Sequence, residues 1–211
     1  MPRIGPRFLS YDAIWREAEN FLGRYHSSKG IPVPIEEIVE FSLKINIIPI
    51  PNLLRTFEVD GFASSNLREI YVDSYILERI PTRYRFTLAH EVGHIFLHRQ
   101  IFEQVKIDSI DSWIEFYNGL DDFQRNGWEL QGYNFAGLVL VPRGDLRRRV
   151  EFILAKPTPY LRIAKSRKIS RDKYLPYAME ELATQLAPIY DVSVQVVAKR
   201  LAFDKLETLV S

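Results

Sequence analysis

The residue types best suited to chemistry are concentrated in one short segment. The chain has 211 residues and four histidines, three of which are His90, His94 and His98. His90 and His94 are four residues apart, so on a helix both imidazoles project from one face and can bind one ion. Neutral imidazole suits zinc, and the Glu91 carboxylate beside the pair can take a proton from an activated water molecule. This H-E-x-x-H pattern predicts a hydrolytic metal site, against the alternative of a chance match on a charged helix.

A catalytic zinc ion usually has three protein ligands and one open position, so one more ligand is needed. His98 shares the helix face with the other two histidines. It lies about 12 Å along the axis from His90, however, and cannot reach the same ion on a straight helix. We therefore expect His98 to be structural or to contact a ligand rather than the ion.

Glu129 is a better candidate for the third ligand. It begins a second helical pattern, in which Gly132 and Ala136 are small enough to let this helix pack closely on the first. A glutamate on a second helix completes the site in some zinc peptidases. A glutamate in a first helical turn also stabilises the helix dipole, and local spacing does not decide between the two interpretations. Three further carboxylates are weaker candidates, namely Glu115, Asp121 and Asp122.

The elements that must hold these residues follow from hydrophobic periodicity and from breaker residues. Helical spacing after Ser10, Pro34 and Pro81 predicts three helices, and the last of them carries the histidines. Short apolar runs bounded by turn residues predict three strands, at Lys44–Ile50, Phe57–Val59 and Glu69–Val72. The polar stretch 108–127 is predicted to be irregular, and a helix is predicted from about Trp128 to Val141.

The order of these elements indicates an α+β fold in which a small, mostly antiparallel sheet packs on helices. A hydrophobic content of 46% is enough for one sizeable core. We expect residues 1–211 to form a single domain, with residues 143–211 as a helical C-terminal extension of the same unit.

Composition excludes several classes of protein. With 28 basic and 27 acidic residues the net charge is +1, so overall charge favours neither nucleic acid nor a membrane as an obligate partner. The absence of cysteine excludes disulfides and thiolate metal ligands. Met1–Ser10 has no apolar run of the kind found in signal peptides, and no segment is apolar enough to span a membrane. We therefore expect a cytoplasmic protein.

The two motifs together resemble those of the ImmA/IrrE family of metallopeptidases. Residues 85–94 read RFTLAHEVGH and are followed by Leu97 and His98, which is similar to the active helix of that family. Residues 129–136 read ELQGYNFA and precede an apolar run that ends at Pro142, in register with the family pattern E-x-x-A-N-x-F-A. Neighbouring segments extend the resemblance over most of the chain.

The resemblance implies a zincin-like fold and a Zn²⁺ cofactor. It implies His90, His94 and Glu129 as the zinc ligands, with Glu91 as the general base. It thereby favours the ligand interpretation of Glu129 over the dipole interpretation.

One position departs from the family pattern. Four residues after the ligand glutamate the family usually has Asn or Asp, and this chain has Tyr133. Asn134 is one residue late, about 100° around a helix. In related enzymes this position orients a ligand histidine through a hydrogen bond. Tyr133 is instead a candidate for stabilising an oxyanion, or a packed side chain, and Asn134 and His98 are candidates for contacting a ligand.

The resemblance also implies a protein substrate. Family members often cleave or inactivate a helix-turn-helix repressor or an antitoxin in phage, mobile-element or stress-response regulation. We further expect that the strand at Glu69–Val72 pairs with an extended segment of the substrate.

An alternative function is regulation by a catalytically weak or inactive family member that binds DNA or protein. Residues 178–203 can form two helices about a turn at Asp191–Ser193, as in part of a helix-turn-helix. A basic segment can contact phosphate or an acidic partner, or be a solvated loop, and it comprises Arg162, Lys165, Arg167, Lys168, Arg171 and Lys173.

Overall fold

The computed structural model describes residues 5–155 and 159–210. Within them, the strands are β1 (Asn46–Ile50), β2 (Gly61–Ala63) and β3 (Glu69–Asp73). The helices are α1 (Tyr11–Tyr25), α2 (Ile35–Glu37, continued by a π-helical turn over Ile38–Ser42), α3 (Leu53–Phe57), α4 (Ser74–Arg79), α5 (Pro81–Leu97), α6 (Arg99–Phe102), α7 (Ile110–Gly119), α8 (Asp122–Leu140), α9 (Arg143–Leu154), α10 (Pro159–Ser166), α11 (Arg171–Tyr190), α12 (Val194–Phe203) and a 3-10 turn (Leu206–Leu209). No helix among the described residues has both the length and the apolar content needed to cross a bilayer.

The sheet has the strand order β1-β3-β2 and is mixed. β1 pairs with β3 in parallel, and β2 pairs with β3 antiparallel. The α+β class is confirmed, but the expectation of a mostly antiparallel sheet is wrong for β1. The connection from β1 to β3 runs through α3 and β2, which is long enough for the chain to return in the same direction. Because β3 lies between two neighbours, the prediction that Glu69–Val72 pairs with substrate is also wrong.

The predicted strand at Phe57–Val59 is wrong as well. Phe57 ends helix α3, and Glu58 follows in the left-handed conformation with φ 58°. The strand begins instead at Gly61, two residues beyond the predicted strand. A Cβ atom at Gly61 would lie 2.6 Å from the carbonyl oxygen of Tyr71 and 2.9 Å from Cγ2 of Thr87. Glycine is therefore needed here because β2 is pressed against both β3 and α5.

Helix α5 is the element on which the sheet and α8 both pack. Pro81 occupies its first turn, where a missing N–H costs nothing. Arg85 donates to the carbonyl of Val33 at 2.8 Å, and Tyr84 donates to Glu36 at the same distance. Every residue from Thr87 to Ile95 is buried. The histidine motif thus lies in the interior, covered by β2 and β3 on one side and by α8 on another.

Helix α8 begins earlier than the sequence pattern indicated, at Asp122 rather than near Trp128. The stretch predicted to be irregular contains α7, whose start is capped by Ser109 and Ser112. Both errors arose because α7 and the first turns of α8 have few buried residues, and burial produces the apolar periodicity on which the prediction relied.

The part of the chain that begins at Val141 forms a second compact unit. Its helical character was predicted and is confirmed by α9 to α12. Arg200, 3% exposed, donates to the carbonyl of Val141 at 3.3 Å and to Asp204 at 2.7 Å. The hydroxyl of Tyr190 donates to Asp145 at 2.8 Å. The single-domain organisation of residues 1–211 stays a prediction.

Replacing Gly93 by alanine tests the close packing of α5 on α8. A Cβ atom at this position would lie 3.1 Å from Cβ and Cδ1 of Phe135. Overpacking of this kind costs about 1–3 kcal/mol, against about 1 kcal/mol gained from the helix propensity of alanine. We expect Gly93→Ala to lower the free energy of unfolding by about 1 kcal/mol in urea denaturation.

The matched control is Gly23→Ala in α1. Gly23 is exposed, and a Cβ atom placed there would have no neighbouring side chain or distant backbone within 4 Å. This substitution should raise the free energy of unfolding by about 0.5–1 kcal/mol. Equal stabilisation by both substitutions would contradict the close packing at Gly93.

Candidate metal centre

The side chains of His90, Glu91 and His94 meet on the buried face of α5. The Nε2 atoms of His90 and His94 are 2.8 Å apart, and their rings are nearly perpendicular at 81°. Oε1 of Glu91 lies 4.0 Å from Nε2 of His90. Each of the three residues offers a ligand atom within 4.8 Å of the others. The spacing of the motif therefore brings these groups together as the sequence predicted.

Glu129 approaches the same centre from α8. Its Oε2 atom lies 3.4 Å from Nε2 of His90, and its side chain is 28% exposed. Since α8 begins at Asp122, Glu129 lies about two turns inside the helix rather than in its first turn. The helix-dipole interpretation of Glu129 is therefore wrong.

The donor set fits a divalent metal ion. Two imidazole nitrogens and a glutamate oxygen are a ligand set that zinc accepts with one position left open. The two facing Nε2 atoms would repel each other if both offered lone pairs, and a cation between such donors removes that repulsion. The nearby Glu91 carboxylate can then act on a water molecule.

Burial shifts the pKa values of these groups in opposite directions. Burial raises the pKa of Glu91 to about 8, with a further rise from the Glu129 carboxylate and an opposing effect of His90. Burial lowers the pKa of His94 well below its ordinary value, and the neighbouring histidines add to this effect. For His90, burial lowers the pKa but is outweighed by Glu129 and Glu91, so the net shift is upward. The site thus holds His94 neutral, as a metal ligand must be.

A cleft of about 560 Å³ opens in front of these residues. The backbone of Ala63 in β2 counteracts part of the rise in the pKa of Glu91. Near the mouth, Arg83 makes two hydrogen bonds of 2.7 Å to Asp60. The other walls are largely aromatic, and those side chains are Phe57, Phe86, Trp113, Tyr117, Trp128 and Tyr133.

Tyr133 lines the cleft beside the metal-binding groups. Its ring packs on His90 with a centroid distance of 4.7 Å and stacks on Phe86 at 5.8 Å. Tyr133 is 50% exposed, and partial burial raises the pKa of its hydroxyl, which therefore stays protonated at neutral pH. Asn134 is half-buried and does not line the cleft.

Gly132 makes room for the histidines. A Cβ atom at this position would lie 2.7 Å from Cε1 of His90 and 2.9 Å from Cε1 of His94. The backbone of α8 therefore passes directly beneath both imidazoles.

His98 lies behind His94, away from His90. Its Nδ1 atom is 3.0 Å from Nδ1 of His94, and it is 3% exposed. This geometry agrees with the expectation that His98 contacts a ligand rather than the ion. The three weaker carboxylate candidates are exposed and do not line the cleft. They are Glu115, Asp121 and Asp122.

Sequence reasoning missed the contribution of α7 to the site. Tyr117 on this helix contacts Glu129, and together with burial this contact raises the pKa of the tyrosine to about 12. Trp113 lines the cleft and stacks on Tyr117 at 4.8 Å. No helix was predicted here because the surrounding residues are polar. The four-residue spacing of Trp113 and Tyr117 is nevertheless a signal that both lie on one helix face.

The basic segment 162–173 does not form one loop. It is divided between the end of α10 and the start of α11. Arg171 donates to the carbonyls of Val210 at 3.1 Å and Glu207 at 2.5 Å, so it supports the C-terminal turn. Arg162, Arg167, Lys168 and Lys173 are exposed, whereas the side chain of Lys165 lies outside the described residues.

The raised pKa of Glu91 predicts that the metal-free protein loses stability as the pH rises. A carboxyl whose pKa is higher in the folded than in the unfolded state binds more protons when folded, so its ionisation favours unfolding. His94 and His98, whose pKa values are lowered, oppose this loss while they release protons near pH 6.5 in the unfolded state, and they do so in wild type and in Glu91→Gln alike. Between about pH 6.5 and 8 the free energy of unfolding should therefore fall more steeply in wild type than in Glu91→Gln. Urea titrations with a chelator present measure both slopes, and identical slopes would refute this assignment.

Comparison with known proteins agrees with this geometry. The Peptidase_M78 family model, described as the IrrE N-terminal-like domain, matches residues 70–202, more than half of the chain. The curated proteins gave no match. Among solved structures, a Mycobacterium tuberculosis transcriptional regulator has a similar fold, with a TM-score of 0.51 at 16% identity. That match covers 90% of this chain and 46% of the regulator, so this chain spans about half of its length. The resemblance of the two motifs is confirmed, and the chain belongs to the Peptidase_M78 family, whose metallopeptidase character implies a metal ion.

Proposed function

We propose that the chain is a zinc-dependent endopeptidase that cleaves a protein partner. The observation that carries this proposal is the convergence of His90, His94 and Glu129 beside Glu91 in one buried site that opens to a cleft. His90, His94 and Glu129 would hold the ion, and Glu91 would be the general base. Zinc, when bound, supplies Lewis acidity toward a water molecule and the scissile carbonyl.

Glu91 is suited to move a proton in both directions. Without a metal, burial raises the pKa of Glu91 to about 8, so its conjugate base is a strong proton acceptor. A bound cation would favour the ionised carboxylate, which is the form that accepts a proton from the attacking water at neutral pH. The backbone of Ala63 favours the ionised form of this carboxylate. The protonated Glu91 then delivers the proton to the leaving nitrogen of the cleaved peptide bond.

Tyr133 is the residue that we assign to the oxyanion. Its hydroxyl group is protonated and its ring lies against His90, at the wall of the cleft where the carbonyl oxygen of a substrate would approach. Tyr117, the other tyrosine of the cleft, is in contact with Glu129. A hydrogen bond from Tyr133 would strengthen as negative charge develops on that oxygen.

We propose as substrate a DNA-binding regulator, such as a helix-turn-helix repressor or an antitoxin, and we expect the reaction in the cytoplasm. Support comes from membership in the Peptidase_M78 family. The aromatic walls of the cleft suit an extended segment with apolar side chains.

The alternative is a catalytically weak or inactive family member that regulates by binding DNA or protein, and its DNA-binding form has less support. The groove between α11 and α12 is lined mainly by apolar residues, among them Met179, Ala198 and Ala202. Glu180 and Glu207 also line it. Phosphate binding needs the opposite charge.

Metal analysis beside a cleavage assay tests the proposed function. We expect near-stoichiometric zinc in purified wild type and its loss from His94→Ala and Glu129→Ala, because each removes a ligand. Glu91→Gln should keep the metal and lower hydrolysis of a peptide library by about 10²–10⁴-fold. Glu115→Ala, an exposed carboxylate on α7, is the matched control and should change neither quantity. Zinc retained by Glu129→Ala would remove Glu129 from the ligand set.

Tyr133→Phe separates the hydroxyl from the ring of this residue. The ring keeps its packing on His90, so the zinc content should not change. Loss of an oxyanion donor should lower kcat by about 10²-fold while KM stays within a few fold. A wild-type kcat in this variant would mean that Tyr133 only packs.

A further inference from the structure

Behind the candidate metal centre lies a buried contact between two imidazoles. Nδ1 of His94 and Nδ1 of His98 are 3.0 Å apart, and the two residues are 2% and 3% exposed. Two imidazole nitrogens at this distance share one proton, so one ring must donate and the other must accept. The contact therefore couples the tautomer of His94 to that of His98.

One indole ring holds both imidazoles in this arrangement. Trp128 stacks on His94 at 4.2 Å with an interplanar angle of 14°. It also stacks on His98 at 4.3 Å and 23°. Trp128 itself is 3% exposed, so it keeps water away from the contact. Both rings are thus limited in rotation before any metal is bound.

Gln131 is placed to continue the hydrogen bonding beyond His98. It is 2% exposed, and its side chain contributes to the pKa of His98 through a contact that favours the protonated ring. Nε2 of His98 and both amide atoms of Gln131 are buried, and no described residue closes a hydrogen bond with them. Buried polar atoms of this kind are costly unless they are paired, which favours a pairing between Nε2 of His98 and the Gln131 amide.

We propose that His98 and Gln131 are positioning residues that fix the tautomer and the orientation of His94. This inference rests on the proposed function, in which Nε2 of His94 binds the metal. A lone pair on Nε2 requires the proton on Nδ1, so His94 donates to Nδ1 of His98. The proton of His98 is then on Nε2 and is donated to Oε1 of Gln131. In this proposed arrangement every donor would have one acceptor, with the Gln131 amide turned toward Nε2 of His98.

His90 differs from His94 in this respect. Its Nδ1 atom is buried and makes no hydrogen bond with any residue that the structure describes. It is held instead by the ring of Tyr133 and by the close approach of Gly132. The relay is thus specific to one of the two ligand histidines.

Zinc affinity and imidazole NMR together test the relay. His98→Phe keeps a ring under Trp128 but removes the acceptor, and zinc Kd should rise about 10–100-fold, as is usual when such a partner is lost. Gln131→Leu should weaken zinc binding less, by about threefold to tenfold, whereas Gln131→Glu, which keeps an acceptor, should stay within about threefold of wild type. Imidazole nitrogen spectra should show His98 as the Nε2–H tautomer, with or without zinc.

The matched control is His26→Phe, which removes another buried imidazole from the same unit. Nε2 of His26 lies 2.7 Å from the carbonyl oxygen of Gly30, far along the chain from the site. This variant should lose thermal stability but keep the zinc Kd of wild type. If His98→Phe and Gln131→Leu behave like this control, the two residues are only structural and the relay is wrong.

The test separates the relay from the proposed function. Wild type that binds zinc and shows the Nε2–H tautomer of His98, yet cleaves no peptide, would refute the peptidase and leave the relay intact. Wild type that binds no zinc would refute the proposed metal site, and the spectrum of the metal-free protein would still decide the tautomer. An Nδ1–H tautomer of His98 would overturn the relay in either case.

Discussion

The close approach of α5 and α8 is the constraint on which the site depends. At Gly132 a single methyl group would lie 2.7 Å from the ring of His90, so the backbone of α8 runs directly under the metal-binding imidazoles. One helical turn earlier, the same helix brings Glu129 within 3.4 Å of His90. Gly93 allows the corresponding approach from α5, where Phe135 fills the space. Helix axes usually lie about 8–10 Å apart according to the side chains at the contact, and small residues give the shorter separations. The geometry of the ligand set therefore depends on the missing side chains of Gly93 and Gly132 as much as on the metal-binding residues themselves.

Burying this set of groups opposes stability until a cation is present. Each buried group resists taking a charge, which is why the pKa of Glu91 rises and that of His94 falls. A divalent ion reverses both tendencies, because it favours an ionised carboxylate and a neutral imidazole. Metal binding therefore recovers free energy that the metal-free fold loses here. The cost of burying these groups and the affinity for the metal are thus coupled. The backbone of Ala63 in β2 reduces this cost for Glu91.

The sequence predicted those features that follow from short-range spacing, and it failed where long-range contacts decide. The placement of His90, Glu91 and His94 on one face depends only on helical periodicity, and the structure brings them together. The position of Glu129 needed a family pattern, because its helix begins earlier, at Asp122, in turns that carry little apolar periodicity. The parallel pairing of β1 could not be predicted, since it depends on how the chain returns through α3 and β2. Likewise, glycine is required at the start of β2 because β3 and α5 crowd Gly61, and these contacts cannot be read from local sequence.

The departure at Tyr133 changes how one ligand is held. A side chain that accepts a hydrogen bond at this position would orient His90 or His94 through Nδ1, yet the ring of Tyr133 packs edge-on against His90 and stacks on Phe86. His94 keeps a hydrogen-bonding partner because His98 supplies it from α5's own C-terminal end. The two ligands are therefore held differently at Nδ1, His94 by a directional bond beneath Trp128 and His90 by packing against Tyr133 and Gly132. Packing restricts the orientation of a ring but does not select its tautomer, so in His90 the choice of tautomer falls to the metal and to Glu129.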